Sequence, residues 1–297
     1  MTLNEPVRFY CYNTLVKKPI TSKQALSGFT LQNEKEVLTK LDRFIQDGSE
    51  RLHLVIDFDR TLTIGKSERD DDITTWQILK RHLPNTAQNR YCELFDKYRP
   101  LEIDRKLTYS DAVSWWENTL KLYIKHRINL KKVEKNFISK VSIRPGAKGL
   151  FCLCKKASVP TIILSAGIKD VINLWTKTFQ IKPTLVLSTK LEVNSNGDIV
   201  DWEKDSLIHV LNKKEMGHAE LSRIREKRPN IILIGDTMED ADMVEGVENV
   251  LRIRICEPRD DERVNRITFN RQTFDKYDLM IENNTLAPII GVINLMA

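Results

Sequence analysis

Apolar and polar positions along the chain keep two different periods, and the switches between them mark its elements. A short, β-rich apolar run at Leu52–Ile56 reads as a buried strand. Runs at 160–164, 184–188, 231–234, 250–255 and 278–281 read the same way. Between them the spacing becomes helical. Residues 33–46 place Val37, Leu38, Leu41, Phe44 and Ile45 on one face, and Asp47-Gly48 closes that helix. Further helices are predicted at 147–156, 169–178 and 211–226, with a terminal one within 286–297. Residues 191–200, LEVNSNGDIV, form a predicted hairpin around Asn196-Gly197.

From 73 to 140 the helical period is uninterrupted, with helices expected at 73–82, 87–98, 110–125 and 130–139. Strands alternating with helices imply an α/β class: a Rossmann-like, doubly wound, mostly parallel sheet with helices on both faces. The purely helical block interrupts that alternation and reads as an inserted helical-bundle cap. The expected division is a core of 33–65 and 142–297, a cap of 66–141 and an N-terminal extension of 1–32, which shows no clean period.

Composition narrows the classes. The chain has 297 residues, 41% hydrophobic and 30% charged, the profile of a globular protein with a substantial core. Its net charge of +6 lacks a dense basic run, so nucleic acid is not an expected partner. The N-terminus lacks the layout of a signal peptide, and the apolar tail 286–297 is too short to span a membrane, so a cytoplasmic location is expected. Five cysteines, scattered and odd in number, argue against a disulfide framework; the CxC at Cys152 and Cys154 lies in a helical stretch and reads as packing.

The chemistry-bearing residues sit where the predicted elements end. Strand Leu52–Ile56 runs into Asp57, Phe58, Asp59, Arg60, Thr61, Leu62 and Thr63. Carboxylates at the end of a buried strand are costly unless something binds them, and Asp57 and Asp59 point the same way off an extended backbone. A bare DxDxT also fits a capped strand end. The strand at 160–164 is followed by Ser165, Ala166 and Gly167, which can offer a hydroxyl and backbone N–H groups to a phosphate; Ser165 equally fits a helix N-cap. Lys213 lies on a predicted helix. The strand at 231–234 ends in Gly235-Asp236, with Asp240 four residues on. The acidic run Asp70-Asp71-Asp72 reads as a solvated loop or helix start.

Taken in order on an α/β core, these groups supply what phosphoryl transfer needs, which is positioning and charge neutralisation. Asp57 is the expected nucleophile and Asp59 the expected acid and base. Asp236 and Asp57, with the Asp59 backbone carbonyl, are expected to hold Mg²⁺; Asp240 ligates through water or braces Lys213. Lys213 and Ser165 neutralise and orient phosphoryl oxygens.

This ordered set resembles the haloacid dehalogenase-like phosphatases, and within them the cytosolic pyrimidine 5′-nucleotidase (type III) family, over roughly residue 33 to the C-terminus. The resemblance rests on DFDRTLT at 57–63, LEID at 101–104, LTYSDAVSWW at 107–116, ILSAGIKDV at 163–171, DSLIHVLNK at 205–213 and LIGDTMEDADMVEGV at 233–247. It implies a Mg²⁺-dependent hydrolase of nucleoside 5′-monophosphates, with pyrimidine bases the expectation. It also implies that Glu102 contacts base or sugar, that Trp115 and Trp116 wall the pocket, and that Thr119 faces the nucleotide; core packing also accounts for the tryptophans. Lys169 and Glu239 stand where the family motifs have glycine, and Leu120 replaces an expected histidine. These departures leave open another small phosphomonoester, transfer of the phosphoryl group to an acceptor other than water, or a partner-binding protein that keeps the fold. The expected ligand is a small nucleotide. The sequence leaves the oligomeric state undetermined, and a monomer satisfies it.

Overall fold

The structure, a computed structural model, describes residues 21–64, 74–136, 138, 141–214, 218–256 and 276–297. Most of residues 1–32 and the acidic run Asp70-Asp71-Asp72 therefore lie outside the described residues.

A seven-stranded sheet runs in the order β1-β9-β8-β7-β2-β3-β4. Its strands are β1 (Thr30–Leu31), β2 (Leu52–Ile56), β3 (Thr161–Ile168), β4 (Leu185–Thr189), β7 (Asn230–Gly235), β8 (Val250–Ile255) and β9 (Leu279–Ile281). All neighbours pair in parallel except β1 with β9. Side chains alternate across a strand, and here the alternation feeds two separate cores. Leu54 and Ile56 of β2, with Ile232 and Ile234 of β7, enter one; Val55, Ile231 and Leu233 enter the other. Both faces of the sheet are thus covered, which explains why β2 and β7 are buried at every position.

The helices are α1 (Ser22–Ala25), α2 (Glu34–Asp47), α3 (Thr75–Lys80), α4 (Asn85–Ile103), α5 (Tyr109–Lys125), α6 (Leu130–Asn136), α7 (Ala147–Lys156), α8 (Lys169–Phe179), α9 (Ala219–Lys227), α10 (Met238–Ala241) and α11 (Ala287–Asn294). Helices α3 to α6 form the helical block between β2 and β3, with α4 packed on α5. Strands β5 (Leu191–Val193) and β6 (Ile199–Trp202) make the hairpin. It carries Gly197 at φ 96° and touches the helical block, where the Asn129 side chain donates to Asp198 Oδ1 at 2.7 Å.

Three details depart from the sequence reading. Residues 21–31 are built into the core: α1 has a Thr21–Gln24 capping box and buries Ala25 against α11, and β1 extends the sheet edge. Their lack of a period reflects elements too short to show one. Helix α4 continues through Pro100 to Ile103, which puts Glu102 on the helix. The predicted helix 211–226 is shorter: Lys213 precedes it, in a turn closed by the Asn212 side chain, which accepts from His209 N–H (2.7 Å) and donates to the Leu207 carbonyl (2.9 Å).

Candidate active site

Strand β2 is hydrogen-bonded to β3 on one side and β7 on the other. Their C-terminal ends therefore lie together, the place where open α/β sheets take ligands. Asp57 leaves β2 with its N–H bonded to the Ile234 carbonyl at 2.9 Å. The chain then turns sharply: Leu62 N–H reaches the Phe58 carbonyl at 3.0 Å, and Arg60 adopts φ 66°. Buried Arg144 holds this turn from beneath. Its guanidinium donates to the carbonyls of Thr61 (2.7 Å), Thr63 (3.0 Å) and Arg60, and to Asn284 Oδ1.

Asp57, Asp236 and Asp240 are buried, and ligand oxygens from the three lie within 4.8 Å of one another. Lys213 Nζ donates to Asp57 Oδ1, and to Asp240 Oδ1 at 2.6 Å. Asp240 Oδ2 accepts from the N–H groups of Asp236 (3.0 Å) and Thr237 (2.9 Å). Gly235 makes this approach feasible, because a Cβ there would meet the Asp240 Cβ at 2.3 Å. Burial pushes Asp57's carboxyl well above the usual range; Lys213 pulls it down, while Asp240 and Asp236 push it up. Burial also works on Asp240, yet Lys213 and Thr237 hold its carboxyl below its ordinary value. Burial opposes the Lys213 charge, and the two aspartates overcome it and raise its pKa.

This donor set suits a hard divalent cation: three buried carboxylates, oxygen ligands only, gathered at the C-terminal ends of β2 and β7, where burial first and then the neighbouring negative charges raise Asp57. The carboxylate of Asp59 stands outside the trio and faces α3. Its Oδ1 accepts from Thr75 N–H at 3.0 Å and its Oδ2 from Thr75 Oγ1 at 3.1 Å. Thr75 Oγ1 also accepts from Ile168 N–H at 3.2 Å, so one threonine joins β2, β3 and α3. Gly167 lies so close that a Cβ would meet Thr75 Oγ1 at 2.4 Å.

Ser165 is not an N-cap, because β3 runs on to Ile168 and shifts register after Leu164. Its Oγ accepts from Gly167 N–H at 3.1 Å. The Ala166 carbonyl accepts two indole N–H bonds, from Trp76 and Trp116, both at 3.0 Å. The helical block is therefore fastened to the core backbone beside Ser165.

A cavity lies between core and helical block. Its lining includes all the residues expected from the sequence: Asp57, Asp59, Glu102, Trp115, Trp116, Thr119, Ser165, Ala166, Gly167, Lys213, Asp236 and Asp240. Tyr91, Phe95 and Arg99 line it too, and sequence reading missed them. Their signal was a helical face on α4 shared with Glu102. Trp115 stacks on Tyr98 with centroids 5.8 Å apart, and Trp116 meets Trp76 edge-on at 5.7 Å. Thr119's hydroxyl is bonded within its helix, donating to the Trp115 carbonyl at 2.9 Å. Glu102 pairs with Arg99 at 2.5 Å. Glu239 of α10 also lines the cavity; burial and the charge of Glu102 raise its carboxyl above the ordinary value.

Elsewhere the alternatives close. Burial pushes the Cys154 thiol up to about 12, so it packs as a small apolar group. Among the described residues, no helix is long and apolar enough to cross a membrane.

Comparison with known proteins agrees with this architecture. The chain is 27% identical over 298 residues to 7-methylguanosine phosphate-specific 5′-nucleotidase A of Xenopus laevis, covering 95% of this chain and 99% of that one. It is 26% identical to the 7-methylguanosine phosphate-specific 5′-nucleotidase of Drosophila melanogaster, covering 73% and 72%. The solved structure of cytosolic 5′-nucleotidase IIIB bound to cytidine superposes with a TM-score of 0.73 at 21% identity, covering 91% of this chain and 94% of that one. A substrate-bound phosphoserine phosphatase gives 0.54 at 18% identity, covering 82% and 98%. Both likenesses show a shared fold. The family model described as Pyrimidine 5′-nucleotidase (UMPH-1) matches residues 61–295. With most of its length matched and a phosphatase fold around the aspartate cluster, the chain belongs to the pyrimidine 5′-nucleotidase (UMPH-1) family and is a phosphoric monoester hydrolase of the 5′-nucleotidase type.

Proposed function

We propose that this enzyme is a Mg²⁺-dependent 5′-nucleotidase that hydrolyses nucleoside 5′-monophosphates through an aspartyl-phosphate on Asp57. The observation that carries this reading is the buried Asp57–Lys213–Asp240 cluster, with Asp236, opening into a cavity walled by Trp115, Trp116 and Glu102.

An Asp57 carboxylate oxygen attacks phosphorus and the ester P–O bond breaks. The leaving 5′-oxygen takes a proton from Asp59, which the Thr75 N–H and hydroxyl hold in place. Asp59 then removes a proton from water as that water attacks the phosphorus, releasing phosphate and freeing Asp57. Lys213 neutralises charge at Asp57 and at the phosphoryl oxygens, and the Ser165 hydroxyl orients one of them. Asp57, Asp236, Asp240 and the Asp59 carbonyl would hold Mg²⁺, directly or through water. When bound it supplies Lewis-acid neutralisation of the phosphoryl group.

The aromatic walls accept a nucleobase of either ring size. A pyrimidine is proposed as the base, on the family description. A second base, 7-methylguanine, is favoured by the names of the relatives and by the carboxylates lining the cavity, which suit a cationic ring between aromatic faces. Action in the cytoplasm is part of the same proposal.

The test is phosphate release from CMP, UMP, GMP, 7-methyl-GMP and phosphoserine, with Mg²⁺ and with EDTA. Metal-dependent release led by nucleotides is expected, and their ranking names the base. Phosphoserine outranking every nucleotide, or full release in EDTA, would overturn the reading.

A further inference from the structure

The segment that carries Asp236 and Asp240 is gripped from the side of β8 and β9. Lys276, Tyr277 and Asp278 lead into β9, and each holds the segment in its own way. Lys276 Nζ bonds both oxygens of the Asp242 carboxylate, at 2.8 and 2.6 Å. Asp278 Oδ2 accepts from Arg252 N–H at 2.8 Å, and the Arg252 side chain donates to the carbonyls of Ala241 (3.1 Å) and Val244 (2.7 Å). Tyr277 reaches furthest in. It is buried in one apolar cluster with Met238, Ala241, Met243 and Val244. The Arg254 guanidinium lies 5.8 Å from its ring, and its hydroxyl donates to the Thr237 carbonyl.

Thr237 joins the two aspartates. Its N–H donates to Asp240 Oδ2 at 2.9 Å, its Oγ1 accepts from Asp240 N–H at 3.3 Å, and its carbonyl is held by Tyr277. Asp57, Asp236 and Asp240 repel one another when no cation lies among them. Lys213 bonds Asp57 and Asp240 directly, and the backbone at Asp236 and Thr237 sets how Asp236 stands to them. Cation affinity depends on ligand oxygens held in place beforehand by groups that do not themselves touch the ion. The phenol suits that task. Burial and then the charge of Asp240 raise its pKa well above the ordinary value, Arg254 opposing them, so it keeps the proton it donates. We propose that Tyr277 is a positioning residue of the cation site: by pinning the Thr237 carbonyl it holds the segment from Asp236 to Asp240 in the shape that binds a divalent cation. The proposal rests on the divalent-cation reading of the aspartate cluster and names the residue that shapes it.

Mn²⁺, which carboxylate sites take as they take Mg²⁺, is the probe, titrated into the full chain without substrate and read by the EPR signal of the free ion. In Tyr277→Phe the Mn²⁺ Kd rises about tenfold, the lower end of what losing a ligand-orienting partner costs. The Mg²⁺ concentration that gives half-maximal phosphate release rises with it. Phe keeps the ring and its packing, so the variant folds, which a cooperative thermal transition verifies. Tyr123→Phe is the matched control. Tyr123 is also buried, and its hydroxyl donates to the Trp76 carbonyl at 2.7 Å within the helical block. That variant loses the same kind of bond and binds Mn²⁺ as the wild type does. An unchanged Mn²⁺ Kd in Tyr277→Phe, or an equal rise in both variants, overturns the role of Tyr277 while the cation site stands. A wild-type chain that binds no Mn²⁺, or binds it no better than Asp236→Asn, fails the cation reading, and this proposal fails with it.

Discussion

Lys213 contacts Asp57 and Asp240 from a turn in which its side chain is 4% exposed. Taking one partner from such a buried group leaves an uncompensated charge, so the three side chains stand or fall together. His209, four residues earlier in the same turn, is buried and meets Tyr109 and Trp116 of α5 edge-on, at 4.8 and 6.2 Å. Burial lowers its pKa to about 4. An unfolded histidine takes up its proton near pH 6.5. Between these values the unfolded chain binds more protons than the folded one, so the His209 contribution is complete above about pH 6.5 and is lost as pH falls toward 4. His209→Gln removes that titration. The loss of Tm between pH 7 and pH 5 should therefore be smaller in the variant than in the wild-type protein; an equal loss would contradict the buried, neutral histidine.

At the scale of elements, α3 ties the helical block to the catalytic loop. Its first residue, Thr75, uses its N–H and hydroxyl on Asp59 while accepting from Ile168 N–H of β3. Thr75→Val keeps the shape and deletes the hydroxyl. If Asp59 is the acid and base, kcat should fall about tenfold with little change in KM, since Thr75 positions Asp59 and lies away from the base. An unchanged kcat would separate Asp59 from proton transfer.

The helix around 73–82 was legible from its period, but the role of Thr75 was not. A hydroxyl that reaches 16 residues back in sequence leaves no local signature. The same holds for Arg144, which braces a turn more than 80 residues upstream. The turn before Lys213 was hidden for a different reason. LIHVLNKKE has helix-compatible spacing, and side-chain bonds override it: Asn212 closes a turn around His209, and Thr189 takes the Ile208 N–H.

At the scale of the whole molecule, strand order does the assembling. Placing β2 between β3 and β7 gathers Asp57, Ser165 and Asp236 from positions 57, 165 and 236 at the C-terminal end of the sheet. That convergence was legible, because each residue follows an apolar run and alternating strands and helices imply parallel pairing. The aromatic wall was legible only in part. Trp115 and Trp116 stand out by type, whereas Tyr91, Phe95 and Arg99 become cavity residues only once α4 packs on α5.

The account's central claim is that Asp57 carries the chemistry. Its most direct test is the rate of phosphate release by Asp57→Asn beside the wild-type enzyme, with Mg²⁺, on the nucleoside monophosphate that the wild type prefers. The variant should keep a cooperative thermal transition and lose at least about a thousandfold in kcat, because an amide cannot form the phosphoryl intermediate. A folded Asp57→Asn enzyme retaining more than about a tenth of wild-type kcat, less than about 1.4 kcal/mol in barrier, would contradict it and move the nucleophile elsewhere.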